Sequence, residues 1–448
     1  MGILICNRCF CYTVSILPMG GKALKRLVGS RWIALCLALC LIAPTAVWAQ
    51  AIPEAYTSKT KVASGYFATV SRLCVFDDFS QPGAAEKFER TWQQAKQILE
   101  AIERAASTSL EDSDVARFNA LAFGETTEVG AYTVEMIEAA RRMSRRTDGY
   151  FDPTVYPLVD LWGFSPRFTY SCERVQPYDR DWADGTPPPP DARYIKSFRR
   201  LVGMDGVVVE GDAQAGYRLR KATPPVTVDG VTHQAQIDLG GIAKGYACDL
   251  VTELLAEQGY EYGYFSCGSS SIRLMKSASA ASKRAGDDSF WLEVRKPRET
   301  DTVGNAYALV RVRDASLSSS GDYGANYTLD GDRYCHIISP FTGYPMNAPS
   351  DGVQQGICTV TLLSGSATED EGYTTALCLM SPEQAIAYAN THLTDRDLAM
   401  VFYRADQPFY EVVTNLPADR LTILDPAYRL ASELDLDGSI RYTGSLIE

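Results

Sequence analysis

Four stretches hold residues whose types and spacing could do chemistry. In "IDLGGIAKGYACD" (237–249) an acid, Asp238, follows Ile237, and Gly240, Gly241 and Lys244 come within six residues. The pattern reads as a strand ending at Leu239 and a helix opening at the lysine. Glycines let backbone approach a ligand closely. The free N–H groups and dipole of a helix N-terminus favour an anion, and a lysine there adds to the attraction. Together they suit a phosphate. The spacing matches neither dinucleotide fingerprint, because it is not G-x-G-x-x-G and the lysine precedes Gly245. A plain strand-to-helix turn with a surface lysine accounts for the same residues about equally well.

The second stretch, "DGYFDPTVYPLVDLWGF" (148–164), places Asp152 before Pro153 and Thr154. An acid before proline is held extended, and the aromatics around it could line a pocket. The bland reading is a packed, proline-rigid corner. In the third, "SSSGDYGANYTLDGDRYCHIISPFTGYP" (318–345), His336 opens a "HII" strand that runs into a turn rich in Pro and Gly. Histidine titrates near neutrality and such turns present ligands, although a lone histidine is usually structural. The fourth, "SATEDEGYTTALCLM" (366–380), sets Glu371 and Thr375 four apart, so one helical face carries a carboxylate and a hydroxyl. Both are hard oxygen ligands of the kind magnesium takes. A helix N-terminal acid with no ligand is the alternative.

Several elements must position these residues. Helical periodicity runs over 84–106 and 132–146, and "DARYIKSFRRLVG" (191–203) reads as a third helix before a "GVVVEG" strand. Residues 166–190, with four prolines at 187–190, read as a surface excursion. A helix over 243–259 ends at Gly259. "YGYFSCG", "FWLEVRKP" and "AYALVRVRDASLS" read as strands. A helix at 366–380 and "PEQAIAYANTH" precede a closing strand pair, "DLAMVFYR" and "FYEVVTN". Helices and strands interleave without a βαβ rhythm, so the class is α+β. Residues 50–415 make one domain and 416–448 a peripheral extension.

The N-terminus reads as an export signal. Lys22, Lys25, Arg26 and Arg31 precede the apolar run "WIALCLALCLIAPTAVWAQA", with no acid before Glu54 and a cleavage site after Ala49. An uncleaved membrane anchor is the second reading, and Met19 would give a signal of more usual length. Removing residues 1–49 takes away five positive charges, so the net charge goes from −12 to about −17. So acidic a chain is not a nucleic-acid binder. Five of the twelve cysteines fall in this leader. The other seven are mostly in apolar stretches with no C-x-x-C pair, which points to buried thiols.

In order along the chain, "FDPTV…PLV.LWGF", "DLGGIAKGYACD", "SSGDY…HII.P.TGYP" and a "TTAL" helix resemble the FAD:protein FMN transferases of the ApbE flavinyltransferase family. "STSLEDSDVARFN" (107–119) resembles a further segment of that family at Ser113 and Asn119. The resemblance covers about residues 62 to 405. It implies a single flavinyltransferase-type (T-fold-like) domain, with mixed or antiparallel sheets flanked by helices. It also implies a magnesium-dependent reaction that splits FAD at its pyrophosphate, esterifies FMN to a threonine or serine hydroxyl of an acceptor protein and releases AMP. By resemblance, Asp152, Pro153 and Thr154 border the FAD site, while Asp238, Lys244 and Ile337 contact the cofactor. The Gly241 carbonyl, Glu371 and Thr375 match metal ligands, and His336 matches an essential histidine.

Four departures stand out. Glu371, beside Asp370, replaces the usual Asp. Ser109 replaces an aromatic that stacks on the flavin, which leaves Tyr66 or Tyr150 for that task. "CGSSSIRL" keeps only Gly268 of a Gly-Gly pair, and Ser339 replaces an aspartate. Two rival readings remain: an FAD pyrophosphatase in which water replaces the acceptor, and a non-catalytic flavin-binding or carrier protein.

Overall fold

The computed structural model describes residues 4–5, 52–165, 189–298, 305–348 and 355–447. Apart from Leu4 and Ile5, the export signal read over 1–49 lies outside the described residues, as do Cys172 and most of the excursion at 166–190. Nine strands form the central sheet: β1 (Thr57–Tyr66), β2 (Thr69–Asp77), β3 (Tyr262–Cys267), β4 (Ser271–Leu274), β5 (Ser316–Gly321), β6 (Gln355–Leu363), β7 (Asp397–Arg404), β8 (Tyr410–Thr414) and β9 (Tyr428–Leu430). Their order across the sheet is their order along the chain. Every neighbouring pair is antiparallel except β8 with β9.

The two-residue period of the strands sorts their side chains into two cores. Leu73, Val75, Phe265, Val360, Leu362, Met400 and Phe402 face a helical layer. Cys74, Phe76, Tyr264, Cys358, Val401 and Tyr403 face a second sheet built from Phe290–Arg295, Ala306–Val312 and Leu421–Ile423. The helical layer comprises α1 (Ala84–Ala106), α2 (Ala131–Arg146), α3 (Ala243–Glu257), α4 (Ala367–Cys378) and α5 (Pro382–His392). Within α1, Trp92, Ala95, Leu99 and Ile102 recur at helical spacing and are buried. Truncating a side chain such as Leu99 to alanine would cost about 2–5 kcal/mol.

Sequence and structure part in several places. The hairpin of β1 and β2, and strand β6, have no counterpart in the periodicity reading. "AYALVRVRDASLS" is two strands, because the chain turns at Asp314, whose φ is 46°. The helix read over 191–203 is α-helical only at Ala192–Phe198 and tightens to a 3-10 turn at Arg199–Leu201. No strand ends at Leu239. The regular strand stops at His233, and the segment beyond is held by side chains. Residues 416–447 lie against the body: Leu421–Ile423 pairs with Ala306–Val312, β9 extends the central sheet, and Ile440 and Leu446 enter the helical core. Six of the seven cysteines beyond the leader are buried free thiols. Among the described residues no helix is long and apolar enough to cross a membrane.

Candidate active site

Two helices meet at the centre of the candidate site. Gly245, in the first turn of α3, lies so close to the start of α4 that a Cβ there would stand 2.3 Å from the Ala367 carbonyl oxygen. Only glycine permits this approach. Asp249, one turn further on, accepts hydrogen bonds from the Ala367 and Thr368 N–H groups at 2.9 and 3.0 Å. It also takes the Ser366 and Thr368 hydroxyls. A carboxylate from one helix therefore caps the positive end of the other. This cap fixes the rotation of α4, so that Glu371 meets α3.

Glu371 is buried, and its two oxygens are held separately. Oε2 accepts the Gly245 N–H at 2.8 Å. Oε1 accepts the Ser271 hydroxyl and lies 3.2 Å from Lys244 Nζ. The sequence reading gave the N–H groups of this first turn to an external anion. The structure assigns them differently. The Ile242 and Ala243 N–H groups donate to the Leu239 carbonyl, and that of Gly245 reaches Glu371. The anion at the helix N-terminus is the protein's own. Diversion of the Gly245 N–H also leaves the Gly241 carbonyl, four residues earlier, with no donor among the described residues.

Lys244 Nζ donates to the Gly240 carbonyl at 2.8 Å. Burial alone would lower its pKa, but the negative charge of Glu371, with Asp238 beyond it, raises the pKa and keeps the ammonium charged. Asp238 is half-buried and accepts the Gly240 N–H at 2.8 Å. Burial raises its pKa against the pull of that bond and of Lys244. Burial likewise pushes the Cys267 thiol up to about 12, so it stays protonated beside the lysine. Thr375 shares α4 with Glu371; its hydroxyl donates to the Glu371 carbonyl at 2.9 Å and sits 3.3 Å from Ser320 Oγ.

Asp152, Pro153 and Thr154 form a closed corner. The Asp152 carboxylate takes the Thr154 N–H and hydroxyl, and the Thr154 hydroxyl takes the Gly203 N–H. The corner supports the site through backbone: the Asp238 N–H donates to the Pro153 carbonyl at 3.0 Å, and the Phe151 ring packs on Gly241. Asn119 braces the same segment, exchanging two hydrogen bonds with the backbone of Ile237 at 2.8 and 2.9 Å. Ser113 caps the short helix that carries Asn119. Tyr66 bonds to Glu100, and Tyr150 meets Phe341 edge-on, so neither stacks on a site residue.

His336 follows the strand Asp332–Cys335 and opens no strand; beyond it only Ile338 makes a single bridge, to Pro345. The side chain is exposed, and its Nδ1 lies 3.3 Å from the Ala325 carbonyl. That contact suits the Nδ1–H tautomer and leaves Nε2 free to accept a proton. The ring rests against Gly324, where a Cβ would be 2.7 Å from Cε1. Partial desolvation, and Lys244 to a lesser degree, lower its pKa below the ordinary histidine value despite the Ala325 carbonyl, so the imidazole is neutral at physiological pH. Ile337 is buried in the helical core, its carbonyl taking the Met346 N–H.

Asp370, the neighbour of Glu371, points elsewhere. It is fully buried, accepting Ser316 at 2.5 Å and Arg396 and Ser364 at 2.7 Å. Ser271 and Asp249 carry site geometry that periodicity does not reveal. Asp249 ends the very motif that holds Lys244, and Ser271 lies in the altered "CGSSSIRL" turn. A separate cavity of about 390 Å³ is lined by Glu135, Glu138, Asp249, Glu253 and Glu369 and by none of the predicted site residues.

The architecture is that of the flavin transferases. A flavin transferase structure from Vibrio cholerae matches with a TM-score of 0.57 and 26% identity, over 78% of this chain and 97% of that one. A flavinyl transferase structure from Pseudomonas stutzeri shares the fold with a TM-score of 0.59, over 78% of this chain and 94% of that one. Residues 68–402 match the model of the ApbE family, and the chain belongs to that family. The FAD:protein FMN transferase of Vibrio cholerae is 28% identical over 313 residues, 70% of this chain and 79% of the relative. That of Escherichia coli K12 is 28% identical over 290 residues, 64% of this chain and 70% of the relative.

Proposed function

We propose that this chain is a magnesium-dependent FAD:protein FMN transferase that esterifies FMN to a threonine or serine hydroxyl of acceptor proteins outside the cytoplasm, with release of AMP. The observation that carries the reading is Glu371 seated on the first turn of α3. It occupies the N–H group of Gly245 and pairs with Lys244, so a pyrophosphate arriving there meets one ammonium and needs further positive charge. By donor chemistry, the residues that would hold a metal here suit magnesium. A carboxylate, the Thr375 hydroxyl and a Gly241 carbonyl released from helical bonding are hard donors, and no thiolate or imidazole competes among them. A bound magnesium would neutralise charge on the pyrophosphate as it is cleaved.

The chain's own groups supply the rest. Lys244, kept charged, holds a phosphate oxygen, while the Asp152–Thr154 corner and Asn119 keep Asp238 and Gly241 in place. His336, neutral and exposed, accepts the hydroxyl proton of the acceptor at Nε2 as the new phosphorus–oxygen bond forms. Positioning and charge neutralisation give most of the acceleration in such transfers. The basic stretch and apolar run before Ala49 support action on exported acceptors.

The test is incubation with FAD, magnesium and an acceptor domain bearing a candidate threonine, read by in-gel flavin fluorescence and AMP release. Labelled acceptor with AMP supports the proposal. Free FMN with AMP and an unlabelled acceptor would make the chain a pyrophosphatase, and intact bound FAD would make it a carrier.

A further inference from the structure

We infer that Ser271 is a positioning residue for the Glu371 carboxylate, an inference that rests on Glu371 being a metal ligand. Ser271 is fully buried at the start of β4. Its backbone is fixed from both sides, paired with Cys267 on β3 and Ser318 on β5, and its carbonyl lies 3.4 Å from the Cys248 thiol. From this immobile base the hydroxyl donates to Oε1 of Glu371, while the Gly245 N–H holds Oε2. Two hydrogen bonds on opposite oxygens, with the Lys244 ammonium 3.2 Å from Oε1, fix the plane of the carboxylate.

The need for this second donor follows from side-chain length. A glutamate has one more rotatable bond than an aspartate, so it loses more freedom when ordered. Magnesium tolerates little angular error in its ligands. Ser271 removes that freedom. One departure from the family pattern, Glu371 for Asp, is therefore met by a serine that follows the turn keeping only Gly268. Ser270 shares the turn but offers its carbonyl to the Ser319 N–H. Partners that orient a metal-bound group typically contribute about 10–100-fold in metal affinity.

The experiment is calorimetric titration of magnesium into the full chain, alongside the magnesium concentration that half-saturates FMN transfer. Ser271→Ala should weaken magnesium binding by about 10–100-fold and leave kcat at saturating magnesium within a few-fold. Ser271→Cys, similar in size with a weaker donor, should fall between parent and alanine, and it serves as the test if the alanine variant unfolds. In a Glu371→Asp background the shorter carboxylate is out of reach of the hydroxyl, so Ser271→Ala should change magnesium affinity less than about threefold. Parent-like magnesium affinity in Ser271→Ala, or equal losses in the two backgrounds, overturns the inference. Unchanged magnesium affinity in Glu371→Gln overturns instead the assignment of Glu371 as a ligand.

Discussion

Asp370 and Glu371 are adjacent acids in different settings, and neutralising each in turn tests the proposed metal role of Glu371 against a purely structural one. Glu371 receives three donors: the Ser271 hydroxyl, the Gly245 N–H and the Lys244 ammonium. Glutamine offers one acceptor oxygen and one NH₂ group, so in Glu371→Gln at least one donor faces another donor. An unmade buried hydrogen bond costs about 1–3 kcal/mol. The lost attraction to Lys244, whose side chain keeps 24% of its exposure, adds less, because water screens it. Asp370→Asn strips one charge from a buried pair with Arg396 that keeps its contact with Glu369. Its cost is about 3 kcal/mol, the lower end for such pairs. Both variants should therefore lose several degrees in Tm, by similar amounts. Their magnesium requirements should differ. A ligating carboxylate counts for more than an outer partner, so Glu371→Gln should raise the half-saturating magnesium concentration by at least about 100-fold, and Asp370→Asn should not move it. Thermal melts and magnesium titrations of labelling rate measure the two effects independently. A raised requirement in Asp370→Asn, with Glu371→Gln like the parent, would refute the assignment.

Other expectations follow from the same geometry. His336→Ala should keep FAD affinity within a few-fold and lose about 10²–10⁴ in transfer rate, checked by FAD titration beside acceptor labelling. If His336 is the base, as proposed, it acts as neutral imidazole with a depressed pKa, so the acid limb of the rate profile should lie below the ordinary histidine range, with activity lost as pH falls through it. A limb centred near 6.5 would place the titration elsewhere. Gly245→Ala drives a methyl into the Ala367 backbone, so a large drop in Tm together with lost transfer is expected; a parent-like melt would refute the close packing. Burial lowers the pKa of Lys221 to about 8, while the unfolded chain binds that proton up to the ordinary lysine value. The unfolded state thus holds more protons above pH 8, and stability gains from this group as pH rises. Urea midpoints at pH 7.5 and 9 should show that gain relative to Lys221→Met; the same pH dependence in both proteins would refute it.

Local pattern carried much of this into the sequence. Helix α1 is legible because apolar residues recur at helical spacing, and Lys244 because glycines precede it at a helix start. Glu371 and Thr375 are legible as one face. The structure adds what spacing cannot encode: residues distant in the chain that meet. Ser271 is an unremarkable serine until Glu371 reaches it across two elements. Asp249 looks like a solvent-facing helix acid until the start of α4 lands on it. The first hairpin was missed because β1 alternates polar and small residues, and exposed positions dominate it. The first-turn N–H groups looked available because only tertiary packing brings a carboxylate to them.

The central sheet grows in chain order, and this shapes how the protein is made. β2 must wait for β3, its partner at Tyr262–Cys267, until all the intervening chain, including most of the helical layer, has been synthesised. Meanwhile Leu73, Val75 and Phe76 lie on a strand with one open edge, a template for pairing with another nascent chain. Closing so long a loop is slow. Refolding from denaturant should therefore be sluggish and yield less at higher protein concentration, and production should gain more from chaperones and slower synthesis than from surface mutations.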